Sequence, residues 1–548
     1  MPQALNVNTD NALGMESLPS RVLTNISSLL PPSSLLALGS TNKHFREHLE
    51  DEKTWKSAYY RQFLGIPFED IRSESTATPA IHGSILVRRT KVSWKGEFIH
   101  RWNLLSRYEQ SRSTPISHCP VQSIVTDLQY IPHHTSPGLL AVSAEAHVVA
   151  RSYPLNGKLL PGFLHASTGG FKPDKNFAPK VSKIAVTIHD GSARIMWGHK
   201  SGTVSVTNNL KRIVPPAPAL REETASKGDW SRCTPEEQHD GPVEDAVWGA
   251  ATGELARYFV TGGADGRVKL WDGQKVKCLW TSEVPDGDDP YVKVAIDLPQ
   301  GIIAAATYSG EISVWTGLSE AFGGKELLNS DIRQTKLTPP PAPALPAGQI
   351  LTRARRTSAL HIHFPSADVI SLLLVYNVDK LFFRSDLNIR TGSVERTTYG
   401  DGRYGAITAI QPVFGPDGTS FVVVGDQLGF VSIYPWADTC PISPVAPLRV
   451  FKAHGNGAVT ALKWTPTVLV TGSSGGTAEV WDSIRFEHLR SFPARKDPIS
   501  QIIVENEVVV LSTGKNVVVW AGTPWPPRAA VTKTVSGDVS EELIEDDE

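Results

Sequence analysis

The spacing of apolar positions divides this chain into a short helical part and a much longer part of alternating strands. Val22, Ile26, Leu29 and Leu30 recur at three- and four-residue steps and form one stripe, which predicts a short helix. Pro31 and Pro32 end it, Ser33 or Ser34 can cap the next, and Leu35, Leu36 and Leu38 supply that helix's apolar positions. A third segment is expected around Phe45 and Leu49, with Trp55 closing the unit. Some forty residues bury too little core to be stable alone, so these helices are expected to pack on something else. Leu18, Leu23, Leu30 and Leu36 cannot all face inward in so small a unit, which leaves apolar surface for a partner. Helical spacing continues to about residue 112. Trp55, Tyr59 and Phe63 share one stripe, and Trp94, Phe98, Trp102, Leu105 and Tyr108 share another.

After about residue 118 the period falls from 3.6 to 2 and stays there to about residue 520, in short β-rich runs punctuated by Gly, Pro, Asn and Asp. The clearest unit runs from Val243 to Trp280. It reads as four strands: one ending at Trp248, then Tyr258 to Thr261, Val268 to Trp271 and Val276 to Trp280, with a tight turn at Ala264, Asp265 and Gly266. A second strong copy begins at Ala458, and weaker ones at Gly138, Arg194, Gly301, Val369, Phe421 and Glu507. Eight copies can be counted, or seven if one degenerate copy is counted in error. Closing them into a ring buries every sheet face and leaves only short edges, so the expected class is mainly β, a β-propeller preceded by helices. The strand that completes the last unit is open, and residues near Tyr108 to Ile116 are candidates. Residues 161–180, 211–239 and 318–352 read as loop insertions; the last carries PPPAPALPAG, a stiff solvated segment or a ligand for a Pro-recognising domain.

Two resemblances follow from these residues. The Leu18-Pro19 entry, the Ile26 to Leu30 step, the Leu35-Leu36 pair, the turn at Phe45 and the closing Trp55 together resemble an F-box, departing from its usual pattern at Gly39 and Ser40. The strong copies resemble WD-repeat blades, the first ending in a literal Trp271-Asp272. In such blades a loop His, a strand Thr, a turn Asp and a strand Trp hydrogen-bond in series. His239, Thr261, Asp265 and Trp271 occupy those places. The second copy keeps His454, Thr471 and Trp481 but has Gly475 and Gly476 where the Asp would stand, so a weaker polar network is expected there. WKGEFIHRWNLL resembles the linker helices of F-box/WD-repeat proteins.

The resemblance implies a domain plan: a disordered stretch over 1–14, an F-box over 15–60, a helical linker over 61–117, a WD-repeat propeller over 118–530 and an acidic tail over 531–548. It implies that the helices dock a Skp-type adaptor of a cullin-RING ubiquitin ligase through Leu18, Pro19, Val22, Leu23, Ile26, Leu29, Leu30, Leu35, Leu36, Phe45 and Trp55. The propeller would then capture a protein substrate, with no catalytic site and no cofactor. A WD-repeat scaffold or trafficking protein with a helical cap is the other reading.

Composition narrows this little further. The formal net charge of -2 gives no general reason to expect nucleic acid or an anionic membrane as partner. Cys119, Cys233, Cys278 and Cys440 are too few and scattered for a metal site or a secreted disulfide framework, and no run of about eighteen apolar residues occurs. A cytoplasmic or nuclear location is expected. His133-His134 and the His361/His363 pair lack a third ligand at a supportable spacing, so no metal site is assigned. The loops that precede the fifth to eighth inner strands carry Arg353, Arg355, Arg356, Arg403, Lys452, Arg495 and Lys496, candidates to bind an acidic or phosphorylated substrate segment.

Overall fold

The computed structural model describes residues 15, 18–66, 86–131, 137–159, 164–165, 180–189, 192–208, 229–249, 257–283, 289–319, 332–341, 355–366, 368–415, 420–436, 444–493 and 496–522. The N-terminal helices are α1 (Ser20–Ser27), α2 (Pro32–Thr41), α3 (Lys43–Glu50), α4 (Glu52–Leu64) and α5 (Trp94–Gln110). Their ends follow from local chemistry. Pro32 sits in the first turn of α2, where its missing N–H costs nothing. The Asn42 side chain accepts from Phe45 N at 2.9 Å to open α3, the Ser93 hydroxyl accepts from Gly96 N at 3.0 Å to open α5, and Gly65 at φ 71° ends α4. Leu35, Leu49, Trp55, Tyr59, Phe63 and Phe98 form their common core, which also takes in Ile484 of the propeller.

The remainder is a ring of eight four-stranded antiparallel sheets, one for each repeat read in the sequence. Each blade runs from an inner strand outward, as in blade 3: β10 (Val243–Trp248), β11 (Tyr258–Gly263), β12 (Val268–Asp272) and β13 (Lys277–Thr281). The second and third strands of each blade are the best covered; β11 and β12 are buried at every position. Adjacent blades pack face to face through separate apolar clusters, such as Val260, Leu270, Tyr291, Ile303 and Trp315 between blades 3 and 4. Hydroxyls beside the inner strands add a polar staple: Ser182, Thr408 and Thr460 each donate to an inner-strand carbonyl of the next blade, Val243, Val459 and Ile499, at 2.8, 2.5 and 2.6 Å.

The structure settles the closing strand that the sequence left open and departs from the sequence reading at three outer strands. The ring is closed by β1 (Ile116–His118), which pairs with β32 (Asn516–Ala521) as the outer strand of blade 8, so the propeller begins just before residue 118. All three stretches read as insertions contain outer strands, β5 (Leu164–His165) within 161–180, β9 (Asp229–Arg232) within 211–239 and β17 (Arg333–Leu337) within 318–352. An outer strand pairs on one side and faces water, so sequences such as DWSR and RQTKL carry no apolar alternation to betray them.

Candidate functional site

The tetrad assigned in blade 3 is assembled as the sequence implied. His239 Nδ1 lies 3.0 Å from both Asp265 carboxylate oxygens, its Nε2 lies 2.8 Å from the Thr261 hydroxyl, and Trp271 Nε1 donates to that hydroxyl at 2.8 Å. Burial alone would raise the Asp265 pKa, but the bonds from His239, Asp240 N and Arg267 N hold it below the usual carboxylate range. In blade 7, Trp481 Nε1 donates to Thr471 at 3.2 Å, whereas His454 Nδ1 meets Thr477 at 3.4 Å and not Thr471. Without a turn carboxylate the series is broken, as the glycines at 475 and 476 lead one to expect. A third network escaped the sequence reading: Trp197 Nε1 donates to Thr207 at 2.9 Å, and His199 pairs with Ser205 at 3.0 Å. These groups hold turns and are structural.

The turns define two ends of the ring. The loops that link an outer strand to the next inner strand, and the second strand to the third, lie at the upper end; the opposite turns lie at the lower end. The helical unit is fixed to the lower end of blades 7 and 8. The Arg101 guanidinium, wholly buried on α5, pairs with Asp482 at 2.6 Å and donates to Pro466 O at 2.8 Å and Ser483 Oγ at 3.2 Å. Asp482 is the Asp of the blade 7 Trp-Asp pair. Its counterpart in blade 3, Asp272, pairs with Arg257 of its own blade at 3.4 Å, a position held by Thr467 in blade 7. A linker side chain thus replaces one from the blade. Arg88 donates to Thr465 O at 2.8 Å and lies over the Trp464 ring, Tyr108 stacks on Trp520, and Arg107 pairs with Glu507 at 2.6 Å. Burial lowers the Arg88 pKa to about 10.

The residues assigned to adaptor docking divide into two groups. Leu23, Leu35, Phe45 and Trp55 are buried in the unit's own core, with Trp55 Nε1 bonded to Leu49 O at 2.7 Å, so their side chains cannot meet a partner. Leu18 and Leu30 are half-buried, and Pro19 is exposed. Val22, Ile26, Leu29 and Leu36 are 41%, 36%, 56% and 45% exposed, an apolar patch over α1, the turn that follows it, and α2.

The cationic residues also divide. Arg355 is not free: it forks onto Asp379, donates to Pro340 O at 2.8 Å and lies 3.8 Å from the centre of the Tyr376 ring. Arg356, Arg403, Lys452 and Lys496 are exposed at the upper end, Arg403 paired with Asp401 at 2.5 Å. Arg353 and Arg495 lie outside the described residues, as do His133 and His134. Burial holds His361 down to about 4, and His363 accepts from Trp436 Nε1 at 3.1 Å while stacking on Phe414. Among the described residues, no three His, Cys, Asp or Glu side chains are grouped to hold a metal ion.

The family described as F-box-like matches residues 15–61, and the WD domain, G-beta repeat family matches 234–272 and 445–482, the two strong copies. The F-box/WD repeat-containing protein pof10 of Schizosaccharomyces pombe is 22% identical over 92% of this chain and 72% of its own length. The chain joins an F-box-like region to a WD-repeat propeller. The F-box-like match covers α1 to α3 and most of α4 but stops short of α5, the helix that ties this unit to the propeller. A crystal structure of the computationally designed Ika8 protein aligns over 74% of the chain and all of that protein, with a TM-score of 0.47 and 18% identity.

Proposed function

We propose that this protein is an F-box/WD-repeat substrate receptor of a Skp–cullin–F-box type ubiquitin ligase. The observation that carries this reading is the exposed patch of Val22, Ile26, Leu29 and Leu36 on a unit locked to the lower end of the propeller. Such a patch on an otherwise closed helical unit fits a partner of apolar face, which is what a Skp-type adaptor offers an F-box. The anchoring on blades 7 and 8 leaves the upper loops open to a protein substrate. The protein would act by proximity, holding substrate at high local concentration beside a ubiquitin-charged enzyme. Exposed Arg356, Arg403, Lys452 and Lys496 favour an acidic or phosphorylated substrate segment, whose capture should weaken as salt is raised. The site of action is the cytoplasm or nucleus. The test is affinity purification of the full chain and of Ile26→Asp with Leu36→Asp. The unaltered chain should bring down adaptor and cullin, and the double variant neither, with its propeller still folded by circular dichroism. Recovery of adaptor equal in both would overturn the proposal, and a chain that comes down clean would favour the scaffold reading.

A further inference from the structure

The upper rim of blade 6 carries a cluster that the tetrads and blade contacts do not explain. The rings of Tyr404 and Phe430 meet with centroids 5.3 Å apart. Lys452 Nζ lies 5.8 Å from the centre of the Phe430 ring, and the Arg403 guanidinium 5.9 Å from that of Tyr404. Leu428 packs over Gly405 yet is 52% exposed. From blade 5, Lys380 reaches in and donates to Gly402 O at 3.0 Å. The acids nearby are mostly engaged. Asp426 is buried and accepts from the backbone N–H groups of Gly405, Leu428 and Phe430; Asp379 is buried and held by Arg355. Asp401, paired with Arg403, is the one other carboxylate of these loops among the described residues. Three cations therefore surround an exposed aliphatic side chain and two half-covered rings.

A ligand for such a surface needs carboxylates on either side of an apolar core. The chain contains one: residues 538–548, DVSEELIEDDE, have seven carboxylates in eleven residues around Val539, Leu543 and Ile544. We infer that the blade 6 rim is a docking site for an acidic, aliphatic peptide, and that its occupant is the chain's own segment 538–548. The described chain ends at Gly522, whose N–H bonds Glu507 O at the lower end of blade 8. The fifteen residues from 523 to 537 span up to about 50 Å when extended. The path is about 20 Å of strand height plus two blade-to-blade steps of 10 Å or somewhat more each, about 40 Å in all. A tether of this length gives a local concentration on the order of millimolar, so weak contacts suffice. Docked there, the segment covers Arg403 and Lys452 and competes with substrate for the upper end. That last consequence rests on the function proposed above; the docking itself does not.

Carbodiimide cross-linking of the full chain at high dilution, read by peptide mass spectrometry, tests the docking directly. Carboxylates of 538–548 should link chiefly to Lys380 and Lys452, and the yield should fall at least fivefold at about 0.5 M salt or in Arg403→Glu with Leu428→Ser. Links spread evenly over remote lysines such as Lys53 and Lys275 would overturn the inference. In a second arm, a fluorescent GDVSEELIEDDE peptide is titrated into two full-length proteins, the unaltered chain and one with Glu541→Gln, Glu542→Gln, Leu543→Ser and Ile544→Ser. Binding should be at least tenfold tighter to the second, and at least fivefold weaker for a peptide with serines at the three aliphatic positions. Equal affinities in either comparison would overturn it. Adaptor recovery, followed in parallel, should be the same for all these proteins, so failure of docking and failure of the receptor reading are separable.

Discussion

Replacing Arg101 by Met should loosen the joint between the F-box unit and the propeller without unfolding either. The guanidinium is wholly buried, and Met retains most of the stem's apolar packing near Phe63, whose ring centre lies 5.1 Å from the charged carbon. What is lost is the 2.6 Å pair to Asp482 and the bonds to Pro466 O and Ser483 Oγ. Asp482 cannot turn to water, because its other oxygen holds the turn through Ile484 N and Arg485 N at 2.8 and 2.7 Å. Breaking a buried pair from one side costs about 3 to 5 kcal/mol, chiefly for the stranded charge. In hydrogen exchange this becomes a loss of protection of about 100-fold or more in α5 and in the 464–486 region, with blades 3 to 5 unchanged. Adding Asp482→Asn removes the stranded charge but leaves an oxygen for the turn, so it should restore part of the protection. A change below tenfold in Arg101→Met, or a double variant worse than the sum of both single ones, would refute the reasoning.

Asp265→Ala should destabilise blade 3 by about 1 to 3 kcal/mol, seen as a lower urea midpoint with intact adaptor recovery; normal stability would show that the tetrad does not stabilise the blade. Gly202→Ala should cost more than Gly392→Ala, although both glycines have positive φ, +85° and +71°. A Cβ on Gly202 would stand 1.8 Å from His239 O, while one on Gly392 meets nothing within 4 Å, so thermal melts should rank them about 3 kcal/mol or more against about 1. Burial lowers both His199 and His361 to about 4. Their folded pKa lies below the unfolded value, so the unfolded chain binds more protons as pH falls from about 6.5 towards 4, and stability is full above that window and lost within it. Each contributes up to about 3 kcal/mol, and His199→Asn should flatten the pH dependence of the urea midpoint over that range.

Much of the ring was legible because second and third strands are buried on both faces and so stand out as apolar runs; the six weaker repeats were found by that pair alone. Their outer partners were not, since β9 and β17 bury little and their order comes from pairing with a neighbour. The F-box was legible as a pattern but not as a surface. A stripe at helical spacing does not say which side is already covered: the structure exposes Val22, Ile26 and Leu29, half-covers Leu30, and turns Leu23, which lies off the stripe, into the core. Arg355 looked like a loop cation and proved to be a clamp, because Asp379, its partner, lies in the turn of the same blade and has no charge pattern to mark it. Arg101 had no signal at all: one cation in an amphipathic helix reads as solvated until the facing Asp482, some 380 residues away, is known.

The pairing of β1 with β32 sets a timetable for synthesis. Ile116 lies opposite Val519 in that sheet. At about 5 to 20 residues per second, the first strand made waits on the order of half a minute or more for the last. During that interval α5 is complete, but the blade 7 and 8 surfaces that hold Arg101 and Tyr108 do not yet exist, and the first and the most recent blade each have a neighbour on one side only. The two end faces of the growing row therefore stay open until the final strand emerges. A nonsense mutation before Asn516, however small the loss in length, would leave the ring without its clasp and the F-box unit without part of its seat.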